Sequence, residues 1–337
     1  MRTSGARSRY KRLCRGEFIT TENTEDTETI SVISVTSVVN ITGRFAPSPT
    51  GPLHFGSLVA AAGSWLFARA AGGRWLVRIE DLDTARVVRG SEEEILEALV
   101  RYGLTWDGDV VRQSERTALY DDAVARLRAQ GLAYDCACSR AEVEQAASAP
   151  IGAEPLYPGT CRNGLAAGRT PRAIRFRAPD ELIVFDDIVA GHVEENVAKQ
   201  TGDFVVKRAD GAYAYQLAVV VDDAEQGVTQ VVRGGDLLSS TARQIALQRA
   251  LALPQPDYAH LPVVLGQDGR KLGKRDGALP LPSLDQARIR DTLAAALGFL
   301  GLEVESGSSR DMLEKALSLT RGRRYATIGQ QNSTGEE

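Results

Sequence analysis

The stretch Gly43–Asp83 constrains the chain more than any other part of it. Gly43–Ala46 reads as a short strand, and a Pro- and Gly-rich turn, Pro47–Pro52, follows it. His54-Phe55-Gly56-Ser57 then leads into small and apolar residues, Leu58 to about Ala71, that read as a helix closed by Gly72 and Gly73. Glycine tolerates the left-handed cap that ends a helix. A second strand, Trp75–Ile79, runs into Glu80-Asp81-Leu82-Asp83. Strand, loop, helix and strand make one βαβ unit of a parallel sheet. Chemistry in such a unit collects at the carboxyl ends of its strands. Free N–H groups at the helix start favour an anion, and Gly51 and Gly56 let a ligand approach the backbone closely. His54 then stands beside a phosphate as a donor, and Glu80 offers a carboxylate. Spacing alone fits an ordinary βαβ turn with a chance histidine equally well.

The residue identities go further. Arg44-Phe45-Ala46-Pro47-Ser48-Pro49-Thr50-Gly51, followed by His54-Phe55-Gly56-Ser57, resembles the signature of class I glutamyl-tRNA synthetases. Arg78-Ile79-Glu80-Asp81-Leu82-Asp83 resembles the next block of that family. The family's usual tetrapeptide is His-Ile-Gly-His, and here its last position is Ser57. That variant is similar to the short paralogues, the glutamyl-queuosine tRNA(Asp) synthetases, which have the catalytic body without an anticodon-binding domain. The resemblance spans about Gly43–Leu302. It implies an α/β fold: a Rossmann-type catalytic domain with a parallel sheet, a zinc-bearing acceptor-like insertion at about 132–200, and no anticodon-binding domain.

Composition narrows the partners. The 337 residues carry a net charge of −4, so a broadly basic RNA-coating surface is not expected and any tRNA contact must be local. No apolar run is long enough to span a bilayer. Four cysteines in a chain this long do not make a disulfide framework. A cytoplasmic protein without membrane contact is the expectation.

Flanking segments read as follows. Residues 1–42, with a basic start and Cys14, read as a disordered extension. Ser91 with Glu94 reads as a capping box opening a helix. Leu119–Gln130 reads as another amphipathic helix. Cys136, Cys138 and Cys161 lie close in sequence, and thiolates suit zinc. Buried incidental cysteines are the competing reading. The resemblance adds Tyr157 as an unusual fourth ligand of one structural Zn²⁺. Arg172–Arg177, Ile183–Val189, Asp203–Arg208 and Tyr213–Val221 read as strands, the last rich in β-branched residues. Gln230–Asp236 reads as a strand and turn, Thr241–Leu253 as a helix and Tyr258–Leu265 as the last strand. Lys271-Leu272-Gly273-Lys274-Arg275 follows a Gly-rich turn and in isolation reads as an exposed charge run. In the family it is the mobile lysine loop, with Gly273 where serine is usual. Ala287–Leu300 reads as a helix, and 303–337 as a polar tail with a weak helix at Asp311–Leu319.

The resemblance implies a two-step reaction. ATP, with Mg²⁺, and L-glutamate give glutamyl-adenylate, and glutamate then passes to queuosine in tRNA(Asp). His54 and Lys274 are the implied catalytic groups. Arg44, Phe45, Ala46, Pro47, Ser48, Glu80, Tyr215 and Arg233 are implied for glutamate. His54, Gly56, Ser57, Lys271 and Lys274 are implied for ATP. The rivals are a truncated glutamyl-tRNA synthetase charging tRNA(Glu), a non-catalytic RNA-binding relative, and a nucleotidyltransferase acting on another acid.

Overall fold

Every residue from Trp75 to Ile79 is buried, as in a strand covered by helices on both faces. The computed structural model describes residues 40–147, 156–265, 281 and 285–322. In chain order the elements begin with β1 (Thr42–Phe45), α1 (Phe55–Ala70), β2 (Arg74–Ile79), α2 (Ser91–Arg101), β3 (Val111–Arg112) and α3 (Thr117–Ala129). Then come β4 (Ala133–Cys136), α4 (Arg140–Ala147), β5 (Ala173–Phe176), β6 (Ile183–Asp187), β7 (Gly191–Glu195), α5 (Val197–Gln200) and β8 (Phe204–Lys207). The chain continues with α6 (Tyr215–Glu225), β9 (Gln230–Gly234), α7 (Leu238–Leu251), β10 (Asp257–Leu261), α8 (Gln286–Phe299) and α9 (Ser309–Gly322).

The main layer is built from two groups of strands. β1 pairs β2, and β2 pairs β3, all parallel. β10 pairs β6 and β9 in parallel, and β7 closes the far edge antiparallel to β6. The groups meet at the start of β1, where the Thr229 N–H donates to the Thr42 carbonyl at 2.9 Å. Side chains alternate across this layer with period two. Trp75, Val77 and Ile79 join α1, α2, α8 and α9 in one core, while Leu76 joins α3, α6 and α7 in the other. Arg44, Arg78, Arg233 and His260 sit at inward positions on that second face, beside α6 and α7. A separate antiparallel sheet, β4-β5-β8, carries the cysteine segment. Among the described residues no helix is long and apolar enough to cross a membrane.

Several expectations are corrected. Tyr213–Val221 is not a strand, because Tyr215–Glu225 forms helix α6. Its β-branched residues favour extended chain weakly, and packing overrides that preference. Leu217, Ala218, Val219 and Val220 are all buried, and Asp222 and Asp223 reach the sheet two turns beyond Tyr215. Ser91 is not the cap of α2. Gly90, with φ 81°, takes that place, and the Ser91 hydroxyl instead donates to the Gly51 carbonyl and accepts from the Gly51 N–H. The serine thus pins the turn between β1 and α1. Within 132–207, β4 and β5 pair with β8, while β6 and β7 join the main layer. The weak helix read at Asp311–Leu319 is present as α9, Ser309–Gly322, and its Met312, Leu313 and Ala316 are buried in the core with α1. Residues 1–39 with Cys14, and the lysine loop with Lys271, Gly273 and Lys274, lie outside the described residues.

Because Leu313 fills that core, Leu313→Ala should cost about 2–5 kcal/mol, the usual cost of emptying a buried leucine site. Urea unfolding checks this through a lower midpoint at unchanged slope. A midpoint equal to wild type would mean that α9 does not belong to the core.

Candidate active site

Two cavities open at the carboxyl ends of the parallel strands. The larger has a volume of about 490 Å³ and is lined by Arg44, Phe45, Ala46, Ser48, Glu80, Tyr215 and Arg233, among others. The smaller, of about 280 Å³, is lined by Pro47, His54, Gly56 and Ser57 and by residues after β10. Phe45, Ala46, Ser48, Ala60 and Gly234 line both. The cavities therefore abut across the Ala46–Ser48 segment that leaves β1.

Charge in the larger cavity follows from a buried network below it. Arg78 is fully buried between Asp223 at 2.8 Å, Glu80 at 3.4 Å and Asp222 at 3.8 Å. Arg44 Nε donates to the same Asp223 at 3.2 Å. The terminal nitrogens of Arg44 have no hydrogen-bond partner among the described residues, and the residue lines the cavity. Asp222 is held by the Tyr120 hydroxyl at 2.8 Å, the Gln113 amide at 2.7 Å and Arg116 Nε at 2.7 Å. Arg233 has a different environment. Its guanidinium donates to Tyr215 Oη at 3.2 Å, Gln244 Oε1 at 2.8 Å, Thr241 Oγ1 at 2.9 Å and His260 Nε2 at 3.0 Å. All four acceptors are neutral side chains. Among the described residues this buried cation has no carboxylate partner. Glu80 supplies the opposite pole. Burial raises its carboxyl above the usual range, against the pull of Arg78 and Arg44.

The smaller cavity lies at the start of α1. His54 is the N-cap, and its Nδ1 accepts from the Ser57 N–H at 3.3 Å. The helix therefore starts three residues earlier than its apolar run predicts. No acidic side chain occupies its first turn, so the positive end of the helix dipole faces this cavity, whose lining includes Asp236. At Gly56 a Cβ would lie 3.3 Å from the His54 ring, so a side chain there would crowd it.

A third cluster lies on the β4-β5-β8 sheet. The Sγ atoms of Cys136, Cys138 and Cys161 are within 4.8 Å of one another. The Cys138 and Cys161 sulfurs are 3.6 Å apart, and Tyr157 Oη lies 3.5 Å from Cys136 Sγ and 3.8 Å from Cys138 Sγ. Zinc–sulfur bonds of about 2.3 Å set tetrahedral sulfurs about 3.8 Å apart, so the donor set fits a zinc ion. Arg175 supports it, with Nε donating to Cys136 Sγ at 3.3 Å and its guanidinium 3.7 Å from the Tyr157 ring centre.

No sequence motif assigns a role to Asp222, Asp223, Asp187 or His260. A period-two signal does point to part of this set: Leu76-x-Arg78, Val231-x-Arg233 and Tyr258-x-His260 each put a polar residue at an inward position. The acids that meet them lie far off in sequence.

Residues 40–311 match the family described as tRNA synthetases class I (E and Q), catalytic domain. The chain belongs to this family. A protein named glutamyl-Q tRNA(Asp) synthetase from Geobacter sulfurreducens is 57% identical over 265 residues, covering 77% of this chain and 84% of that protein. One of the same name from Thiobacillus denitrificans is 58% identical over 260 residues, 77% of this chain and 85% of that one. Among solved structures, the glutamate-tRNA synthetase of Elizabethkingia anophelis is similar with a TM-score of 0.70 and 31% identity over 82% of this chain. This chain spans 65% of that structure's length. In this class I catalytic domain the two cavities occupy the strand ends where a parallel sheet binds its ligands.

The raised Glu80 carboxyl yields a pH prediction. A ligand ammonium group set against Glu80 needs the ionised form, so its binding weakens as pH falls through the Glu80 pKa. The loss should begin at a higher pH than for an ordinary exposed carboxylate. Titration of an amino-acid ligand against pH, in wild type and Glu80→Gln, checks this. The variant should bind weakly with a flatter profile. A wild-type profile flat down to the usual carboxylate range would contradict it.

Proposed function

We propose that the chain activates L-glutamate with ATP to give glutamyl-adenylate and then transfers the glutamyl group to queuosine at the wobble position of tRNA(Asp). The observation that carries this reading is the pair of abutting cavities, one lined by a buried arginine without a carboxylate partner among the described residues, the other closed by a helix start. Relatives at 57% and 58% identity named glutamyl-Q tRNA(Asp) synthetase support the choice of substrate and acceptor. Transfer to tRNA(Glu) is the alternative, and the solved relative that favours it is 31% identical.

In the first step an α-carboxylate oxygen of glutamate attacks the α-phosphorus of ATP, and pyrophosphate leaves. In-line positioning and charge stabilisation carry most such catalysis. In our reading Arg44, Tyr215 and Arg233 hold the glutamate carboxylates, Glu80 meets its ammonium group, and Phe45, Ala46, Pro47 and Ser48 form the bridge to the nucleotide. His54, Gly56 and Ser57 receive ATP at the start of α1, where backbone N–H groups favour phosphate. Lys271 and Lys274 neutralise the departing pyrophosphate. Mg²⁺ bound with ATP screens the phosphate charge. In the second step a hydroxyl of the queuosine ring attacks the acyl carbon, and AMP leaves. A loop base can be splayed into a pocket that a duplex cannot enter.

Transfer of labelled glutamate tests the reading. The label should enter tRNA(Asp) carrying queuosine, and not tRNA(Asp) lacking it or tRNA(Glu). Equal labelling of the unmodified tRNA(Asp), or of tRNA(Glu), would overturn the assignment.

Cys136, Cys138, Tyr157 and Cys161 would hold one Zn²⁺ in a structural role, since four protein donors leave no open position. Metal analysis should find about one zinc per chain, in line with a single closed site. Cys138→Ser should lose the metal and reduce tRNA transfer more than adenylate formation. Wild-type protein that is metal-free and fully stable would exclude the site.

A further inference from the structure

Arg233 is held from behind as well as in front. Its Nε donates to His260 Nε2 at 3.0 Å. An arginine Nε can only donate, so His260 Nε2 must accept, and the imidazole proton must lie on Nδ1. That nitrogen faces Asp187 Oδ2 at 2.6 Å. Burial first, and the Arg233 charge after it, push the His260 pKa down, which keeps the ring neutral against the pull of Asp187. The other carboxylate oxygen is fully engaged. Asp187 Oδ1 accepts the N–H groups of Val189 at 3.0 Å, Ala190 at 2.7 Å and His260 at 3.0 Å. Backbone N–H groups can be met only by an acceptor, so the orientation of this carboxylate is fixed. Both side chains are almost wholly buried, at 1% and 0% exposure.

We propose that Asp187 and His260 are positioning residues for the activation step: they lock the imidazole tautomer on which the aim of Arg233 into the larger cavity depends. This rests on the reading of Arg233 as the grip on glutamate. Neither residue lines the larger cavity, and both act through Arg233. The hydroxyl of Thr241, 3.2 Å from the same Nε2 and 2.9 Å from Arg233 Nη2, belongs to the same cradle.

Asp187→Asn isolates the tautomer without changing shape. The new amide must turn its oxygen to the three backbone N–H groups, which leaves its NH₂ facing His260 Nδ1. The ring then carries its proton on Nε2, directly opposite Arg233 Nε–H, and two donors confront each other. The chain has three histidines, so ¹⁵N NMR can follow His260 against His54 and His192. The expected result is a shift of His260 from the Nδ1–H to the Nε2–H form. In ATP–pyrophosphate exchange the KM for glutamate should rise about tenfold to a hundredfold, the range for a lost hydrogen bond to a charged group. The KM for ATP and the rate at saturating glutamate should stay near wild type.

Two further variants cover a failure of Asp187→Asn to fold. His260→Gln keeps an amide oxygen near the Nε2 position and should hold the glutamate KM closer to wild type. His260→Phe keeps the ring and removes the acceptor, and should raise that KM as Asp187→Asn does. An unshifted tautomer in Asp187→Asn, or an unchanged glutamate KM in His260→Phe, would overturn the proposal if Arg233→Gln raises that KM. If Arg233→Gln also leaves the KM unchanged, the reading of the glutamate cavity itself falls.

Discussion

Arg78 is buried completely, and a guanidinium does not surrender its proton. Burial pulls its pKa down, but Asp223, Glu80 and Asp222 together hold it above the ordinary value. The fold must therefore deliver carboxylates to this one point of β2, and it does so with two successive residues of α6. Asp223 serves both Arg78 and Arg44, while Asp222 also gathers Gln113, Arg116 and Tyr120. Removing one member of such a buried set leaves an uncompensated charge and costs far more than an exposed pair. The network joins β1, β2, α3 and α6 directly beneath the larger cavity, so the same ions that tie the layers together also fix the floor of the site.

The distribution of charge within that floor follows. Asp223 divides its negative charge between two arginines, and Arg44 keeps two nitrogens for the cavity. Arg233, one strand over on β9, is surrounded by neutral acceptors. A glutamate molecule has two carboxylates and one ammonium group. The cavity's lining carries charges of both signs, Arg44, Arg86, Arg208 and Arg233 with Glu80 and Asp83.

The fold was legible where its signals were local. The turn after β1, the start of α1 and the strand of Trp75–Ile79 all follow from residues within one βαβ unit. Arg44, Glu80, Tyr215 and Arg233 could be named from sequence, and in the folded chain they line a common cavity. Helix α6 was misread because Val219, Val220 and Val221 favour a strand on their own, and only packing against α3 and α7 makes them helical. Asp222 and Asp223 belong to the same helix. Their partners are Gln113, Arg78 and Arg44, which are 109, 145 and 179 residues away. The pairing of Asp187 with His260 spans 73 residues. Such contacts leave no mark in any local window. Helix α9 was legible as a weak helix at Asp311–Leu319, and what a polar, Gly- and Ser-rich flank hid was its place in the core.

The central claim is that the two cavities are the two halves of one adenylate site, meeting at Ala46 and Ser48. A crystal structure with a non-hydrolysable glutamyl-adenylate analogue tests it most directly. The account predicts the glutamyl group in the larger cavity with a carboxylate on Arg233 and the ammonium group on Glu80, and the adenosine phosphate beside Gly56 at the start of α1. An analogue bound with its glutamyl group away from Arg233, or with its phosphate away from the start of α1, would contradict it.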